Sequence, residues 1–302
     1  MNPFKLILFS LPLSLCLFSC DPNTQKGLKK EDKAQEIKTV YNDDVEINVS
    51  RYGQGELTLL FVHGWCINKG YWTEQVEELK SDYKVVTMDL PGFGLSGKSR
   101  EEWSIQAYAA DVNAVIAQLE LDNVVLVGHS MGGNIVLEAA LNNNKVIALV
   151  GVDNFKEVGL EYTDDIRGEI EGFLGMLRDD FPGMIAAYAE SALFHPETDS
   201  LVRKRVVDDF LDADRNIALS SLESLFGYTQ QELEKLSAFQ GKLYLINSDA
   251  TPTDENGLLA SGVAYEVIDI NTTGHYPMIE KPQVFNQLLR KVLNKIEAEL
   301  SL

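Results

Sequence analysis

Three cysteines in 302 residues are too few for a disulfide framework. Cys16 and Cys20 fall within the first twenty residues, and Cys66 is alone in the rest of the chain. Basic side chains are outnumbered: 26 Lys and Arg stand against 46 Asp and Glu, a formal net charge of −20. No basic run offsets it, which excludes a phosphate backbone as the main partner, so no nucleic acid is expected. Only four histidines occur. None pairs with Cys or carboxylate at ligand spacing, so neither a metal site nor a cofactor is expected. The longest N-terminal apolar run, residues 6–18, is broken by Ser10, Pro12 and Ser14 and is too short to cross a bilayer comfortably. With 45% hydrophobic and 24% charged residues the composition is globular. The length fits one domain with an insertion, or two small domains, and such a chain needs no disulfides to hold its core.

What the N-terminus does have is Lys5, then the apolar run, then Leu17-Phe18-Ser19-Cys20. That is the layout of an export signal. A small residue directly before Cys resembles the lipobox of bacterial lipoproteins. The resemblance implies removal of residues 1–19, acylation of Cys20 and a membrane-anchored, exported protein. An ordinary signal peptide with an incidental Cys is the alternative. Cleavage and acylation would leave Cys66 without a partner. Residues 20–38 are polar and charged and read as a flexible tether.

From there the pattern changes. Residues 38–41 and 45–51 read as strands around the turn Asn42-Asp43-Asp44. Residues 57–62 (LTLLFV) are continuously apolar, as in a strand buried on both faces. Helix and strand then alternate: helices at 71–79, 104–119 and 131–141, strands at 83–88, 123–127 and 146–152. The rhythm stops between 155 and 239, where helices at 164–178, 183–193, 198–212 and 215–225 are expected without a strand. It resumes with strands at 242–247 and 264–270 and helices near 255–261 and at 283–300. This alternation specifies a parallel sheet in a core of residues 39–154 and 240–302, interrupted by a helical insertion, residues 155–239. Phe173, Met176, Leu177, Phe181, Met184, Tyr188 and Phe194 in the insertion either line an apolar pocket or form its own core.

The strongest chemical signal is Gly128-His129-Ser130-Met131-Gly132, after an apolar strand and before a helix. This G-x-S-x-G context forces Ser130 into a tight turn, with its hydroxyl clear of the sheet at a helix N-terminus. Serine needs a base. His129 sits inside the turn, with its side chain directed elsewhere, and His195 lies in the insertion. His63 follows the LTLLFV strand in His63-Gly64-Trp65. His275 follows the last strand in a loop at the carboxyl end of the sheet, where open α/β sheets build their sites. His275 is therefore the candidate base.

HGW at 63–65, DLPGFGLS at 89–96, GHSMGG at 128–133 and GHYPMIEKP at 274–282 together resemble the α/β-hydrolase fold family. The resemblance implies a mostly parallel eight-stranded sheet flanked by helices, with a helical cap after strand 6. It implies an oxyanion hole from the N–H groups of Met131 and Trp65. It also implies an acid after strand 6 or strand 7. After strand 7 the usual position holds Thr251, and Asp249 comes two residues early. After strand 6 Asp153 follows directly. Asp153 is the preferred acid and Asp249 the alternative; either could instead be a turn former. The expected function is hydrolysis of a small acyl substrate, most simply a carboxylic ester, through a Ser130–His275–Asp153 triad. Thioester, amide or C–C hydrolysis and cofactor-free haloperoxidation share the fold, as would a tethered binding protein without turnover. Oligomeric state is not legible.

Overall fold

A computed structural model describes residues 36–300. The expected signal segment, Cys20 and most of the expected tether lie outside the described residues. Strand β1 (Glu36–Asn42) takes up residues 36–38 of the expected tether and pairs with β2 (Val45–Tyr52), Asp43 turning between them at φ +50°. The remaining strands are β3 (Thr58–Val62), β4 (Lys84–Met88), β5 (Val124–His129), β6 (Val146–Val152), β7 (Lys242–Ser248) and β8 (Ala264–Ile270). They form one eight-stranded sheet in the order β1-β2-β4-β3-β5-β6-β7-β8. Only β2 runs against its neighbours; every pairing from β4 to β8 is parallel. Every residue of β3 and β5 is buried, because these central strands are covered on both faces.

Helices α1 (Thr73–Leu79), α2 (Ile105–Gln118) and α3 (Met131–Ala140) connect the parallel strands. The α2 helix starts where Ser104 caps it, its hydroxyl accepting the Ala107 N–H at 3.1 Å. Between β6 and β7 come α4 (Asp164–Asp179), α5 (Phe181–Tyr188) with a π-helical turn at Ala189–Leu193, α6 (Ser200–Asp212), α7 (Arg215–Thr229) and α8 (Glu232–Ala238). The last of these was not expected; seven residues are too few for helical periodicity to stand out. Phe173, Leu177 and Phe181 are buried in the insertion, whereas Met176 is exposed and Tyr188 and Phe194 line a cavity. The Tyr71 hydroxyl donates to Asp209 of α6 at 2.7 Å beneath the Arg205 guanidinium, which ties the insertion to the sheet domain. After β7 follow α9 (Asn256–Ser261), α10 (Pro277–Glu280) and α11 (Pro282–Leu300).

Candidate active site

Strand β5 ends at His129 and α3 begins at Met131, so Ser130 alone makes the turn, at φ +52° and ψ −124°. Non-glycine residues rarely sit there, and the surroundings must hold the strain. They do so through the Ser130 N–H on Val152 O (3.0 Å) and the Gly133 N–H on Ser130 O (2.8 Å). Gly132 permits the approach: a Cβ there would stand 2.6 Å from the carbonyls of Val62 and His63. The end of β3 therefore lies against the first turn of α3. Among the described residues the Ser130 hydroxyl has no hydrogen-bond partner. It lines a cavity of about 340 Å³ together with Met131, Asp153, His275 and side chains of the insertion.

His275 lies in the loop between β8 and α10, pinned on several sides. Its N–H donates to Leu193 O (2.7 Å), and the flanking N–H groups of Gly274 and Tyr276 donate to the Glu280 carboxylate at 2.9 and 3.0 Å. The ring Nδ1 lies 2.6 Å from Asp153 Oδ2. A carboxylate can only accept, so Nδ1 carries the proton and Nε2 is left basic. Asp153 leaves the end of β6 at φ +48° and is buried. Its Oδ1 accepts the Ser248 N–H (2.9 Å) and faces the Lys156 ammonium (2.6 Å). Burial alone would raise this carboxyl's pKa; the His275 hydrogen bond and the Lys156 charge outweigh it and bring it down to about 2. Asp249 does something else: it accepts the Thr272 N–H at 2.8 Å and makes no hydrogen bond to His275.

The loop after β3 carries the other expected donor. His63 is fully buried, donates from Nδ1 to Gly64 O (2.8 Å) and accepts the Leu90 N–H at Nε2 (2.9 Å). Burial pushes its pKa down, so it serves as a neutral brace for the loop. The Trp65 indole donates to Ala218 O in α7 at 2.9 Å and packs edge-on to Phe210. Met131 lines the cavity; Trp65 does not. Neither backbone N–H has a hydrogen-bond partner among the described residues. In the 89–96 loop Asp89 takes the N–H and the ammonium of Lys69, both at 2.8 Å, a structural use. His195 accepts the Glu197 N–H at 3.1 Å.

The sequence profile described as alpha/beta hydrolase fold matches residues 58–282. The chain belongs to the α/β-hydrolase fold family. It is 24% identical to the AB hydrolase superfamily protein YisY of Bacillus subtilis, over 87% of this chain and 98% of that one. It is 27% identical to the dihydrolipoyllysine-residue acetyltransferase component of the acetoin cleaving system of Cupriavidus necator, over 87% of this chain and 71% of the other. Among solved structures, a bromoperoxidase from Bacillus anthracis superposes with a TM-score of 0.75 at 21% identity, covering 86% of this chain and all of the other. A thermophilic esterase from Thermogutta terrifontis superposes with a TM-score of 0.74 at 22% identity, covering 86% of this chain and 99% of that one. Related hydrolases support an enzymatic role.

Three features of this hydrolase were missed in the sequence. His129, whose ring was expected only to point away, donates from Nε2 to the carbonyl of His275 (2.7 Å) and packs against its ring at 4.7 Å. Burial and the His275 ring push the His129 pKa down to about 3, so it holds the His275 loop as a neutral group. Lys156, three residues after Asp153, is the second. The third is a chain of side chains behind the serine. Asn154 Nδ2 donates to Ser130 O and to Asn134 Oδ1 (3.1 Å), and Asn134 Nδ2 donates to Glu232 Oε1 (2.5 Å).

Glu232 is buried in the cavity wall, and burial pushes its pKa up to about 7. The folded-state value lies above the ordinary glutamate value, so the folded form binds this proton more tightly. Stability from this group is full below about pH 4 and is lost as pH rises through 7, by on the order of 3 kcal/mol. Glu232→Gln keeps an acceptor for Asn134 without the charge. It should raise Tm by roughly 5–10 °C at pH 8 and by much less at pH 5. An equal shift at both values in thermal melts would contradict a buried carboxyl.

Proposed function

We propose that the protein is a serine hydrolase of carboxylic esters or closely related acyl compounds. The observation that carries this is the 2.6 Å contact from His275 Nδ1 to the buried Asp153, in the cavity that also holds Ser130 at its strained turn. In this reading His275 Nε2 takes the Ser130 proton as Oγ attacks the acyl carbon. The Met131 N–H at the cavity wall receives the oxyanion, and the Trp65 N–H, outside the cavity lining, is carried over from the family resemblance as the second donor, each worth roughly 3 kcal/mol. The tetrahedral species collapses, the alkoxide leaves with the proton from His275, and an ester of Ser130 remains. Water then attacks with His275 again as base, releasing the acid and restoring the serine. Asp153 fixes the ring tautomer and stabilises the imidazolium. Structural resemblance to an esterase supports the ester assignment. The net charge of −20 speaks against acyl groups carried on polyphosphate-bearing thioesters. A p-nitrophenyl ester chain-length series tests the reading. Turnover with a burst of p-nitrophenol equal to the enzyme concentration is expected wherever deacylation is slow; no turnover of any chain length contradicts it.

We also propose that Cys20 carries the protein on a membrane as an acylated, exported lipoprotein, a reading that rests on the Ser19-Cys20 context. No helix among the described residues is long and apolar enough to cross a membrane. Native protein should partition into detergent, and Cys20→Ala should abolish that partitioning. Native protein that stays in the aqueous phase would contradict the anchor.

A further inference from the structure

Charge around the cavity is unbalanced. Three acidic residues, Asp153, Glu157 and Glu232, line it against a single lysine, Lys156. The lysine is already committed, its ammonium lying 2.6 Å from Asp153 Oδ1 and donating to Ser248 O at 3.0 Å. Glu232 has no such cation. It is only 6% exposed, and its one hydrogen bond, from Asn134, goes to Oε1. Among the described residues Oε2 has no partner. A buried carboxyl without a counter-ion either keeps its proton or takes up a cation from outside. Of the ionisable groups on the surrounding elements, Tyr162 and Tyr228 are phenols and cannot supply the cation, and Lys235 on the same helix is held by Glu138 at 2.8 Å.

The rest of the wall suits a cation on an apolar stem. Tyr162, Tyr188, Phe194 and Phe226 line the same cavity, and aromatic faces attract alkylammonium groups. The net charge of −20 draws cations in at long range and repels anions. We propose that this cavity selects acyl substrates bearing an alkylammonium group, with Glu232 as the carboxylate that receives it. The inference rests on the hydrolase reading of Ser130 and names the substrate class for that site. The ammonium can belong to the acyl chain or to the alcohol; the recognition chemistry is the same. Burial holds the Glu232 carboxyl up at about 7, so an arriving cation stabilises the anion and displaces a proton from it.

The test uses two matched pairs of esters. In the acyl arm, p-nitrophenyl 6-aminohexanoate is compared with p-nitrophenyl heptanoate, which replaces the ammonium by a methyl group. In the alcohol arm, choline hexanoate is compared with 3,3-dimethylbutyl hexanoate. The reading is the ratio of kcat/KM, cation over neutral, within wild type and within Glu232→Gln, so a general loss of activity cancels. Wild type should favour the cation by about tenfold or more in one arm, and that arm identifies the side of the ester. The ratio should fall to about one in Glu232→Gln. A wild-type ratio of one or less in both arms overturns the proposal, as does a preference that survives the substitution. If Glu232 only braces Asn134, both members of each pair fall together and the ratio stays. Should none of the four esters turn over, the ester reading fails, and the cation claim is decided by binding. Stabilisation of wild type by 6-aminohexanamide but not heptanamide in thermal melts, lost in Glu232→Gln, supports it; equal or absent stabilisation overturns it.

Discussion

Ser130→Ala should lose ester turnover by on the order of 10⁶-fold in kcat while melting within a few degrees of the parent. The size follows from where the serine stands. Its hydroxyl is free of hydrogen bonds among the described residues and is held into the cavity by a backbone at φ +52°. In the proposed mechanism, residual activity would come from the oxyanion donors, which do not depend on the side chain. The fold should survive because the stabilising contacts at this position are made by the backbone, on Val152 O and from Gly133 N–H. His275→Ala should be comparably severe, since in the proposed mechanism it and Ser130 act as one unit. A Ser130→Ala protein retaining more than about a hundredth of the parental kcat would show that another group carries the reaction.

Asp153→Asn should cut kcat by up to about 10⁴-fold, the precedent set by a Ser-His-Asp protease. The geometry leaves the asparagine no harmless orientation. Oδ1 of Asp153 faces two donors, the Ser248 N–H and the Lys156 ammonium. The amide oxygen must therefore occupy that position, which turns the NH₂ toward His275 Nδ1. A donor there favours the tautomer with the proton on Nε2, and that nitrogen can no longer accept from Ser130. The defect should appear in kcat, with KM little changed, because the cavity wall is intact. Asp249→Asn should cost no more than a few-fold, since Asp249 only receives the Thr272 N–H in the loop leading to His275. Steady-state kinetics on the two variants decide between them; a larger loss in Asp249→Asn would reverse the assignment.

How far the site was legible depended on whether its logic was local. The turn at Ser130 is written in five consecutive residues between an apolar strand and a helix, and so could be read directly. His275 was singled out as the candidate base by its place after the last strand. The candidate acid came down to a choice between two strand ends, and it is Asp153, not Asp249, that lies beside the His275 ring. What stayed hidden depends on partners far away in the chain. His129 braces a carbonyl 146 residues later. Glu232 meets Asn134 across 98 residues, from a helix too short to show a period. Nothing near Trp65 announces that its indole reaches Ala218, 153 residues on. Aromatic residues of the insertion were ambiguous for the same reason: Phe173 and Tyr188 look alike in sequence, yet one is buried in the insertion and the other lines the cavity.

The central claim is that Ser130 is the nucleophile, and peptide mapping after fluorophosphonate labelling tests it most directly. The reagent phosphonylates a serine only where a base activates it and an oxyanion hole receives the charge. One adduct per chain is predicted, on the peptide containing Ser130, with labelling lost in both Ser130→Ala and His275→Ala. An adduct on any other residue, or no adduct in the folded parent protein, would contradict the account.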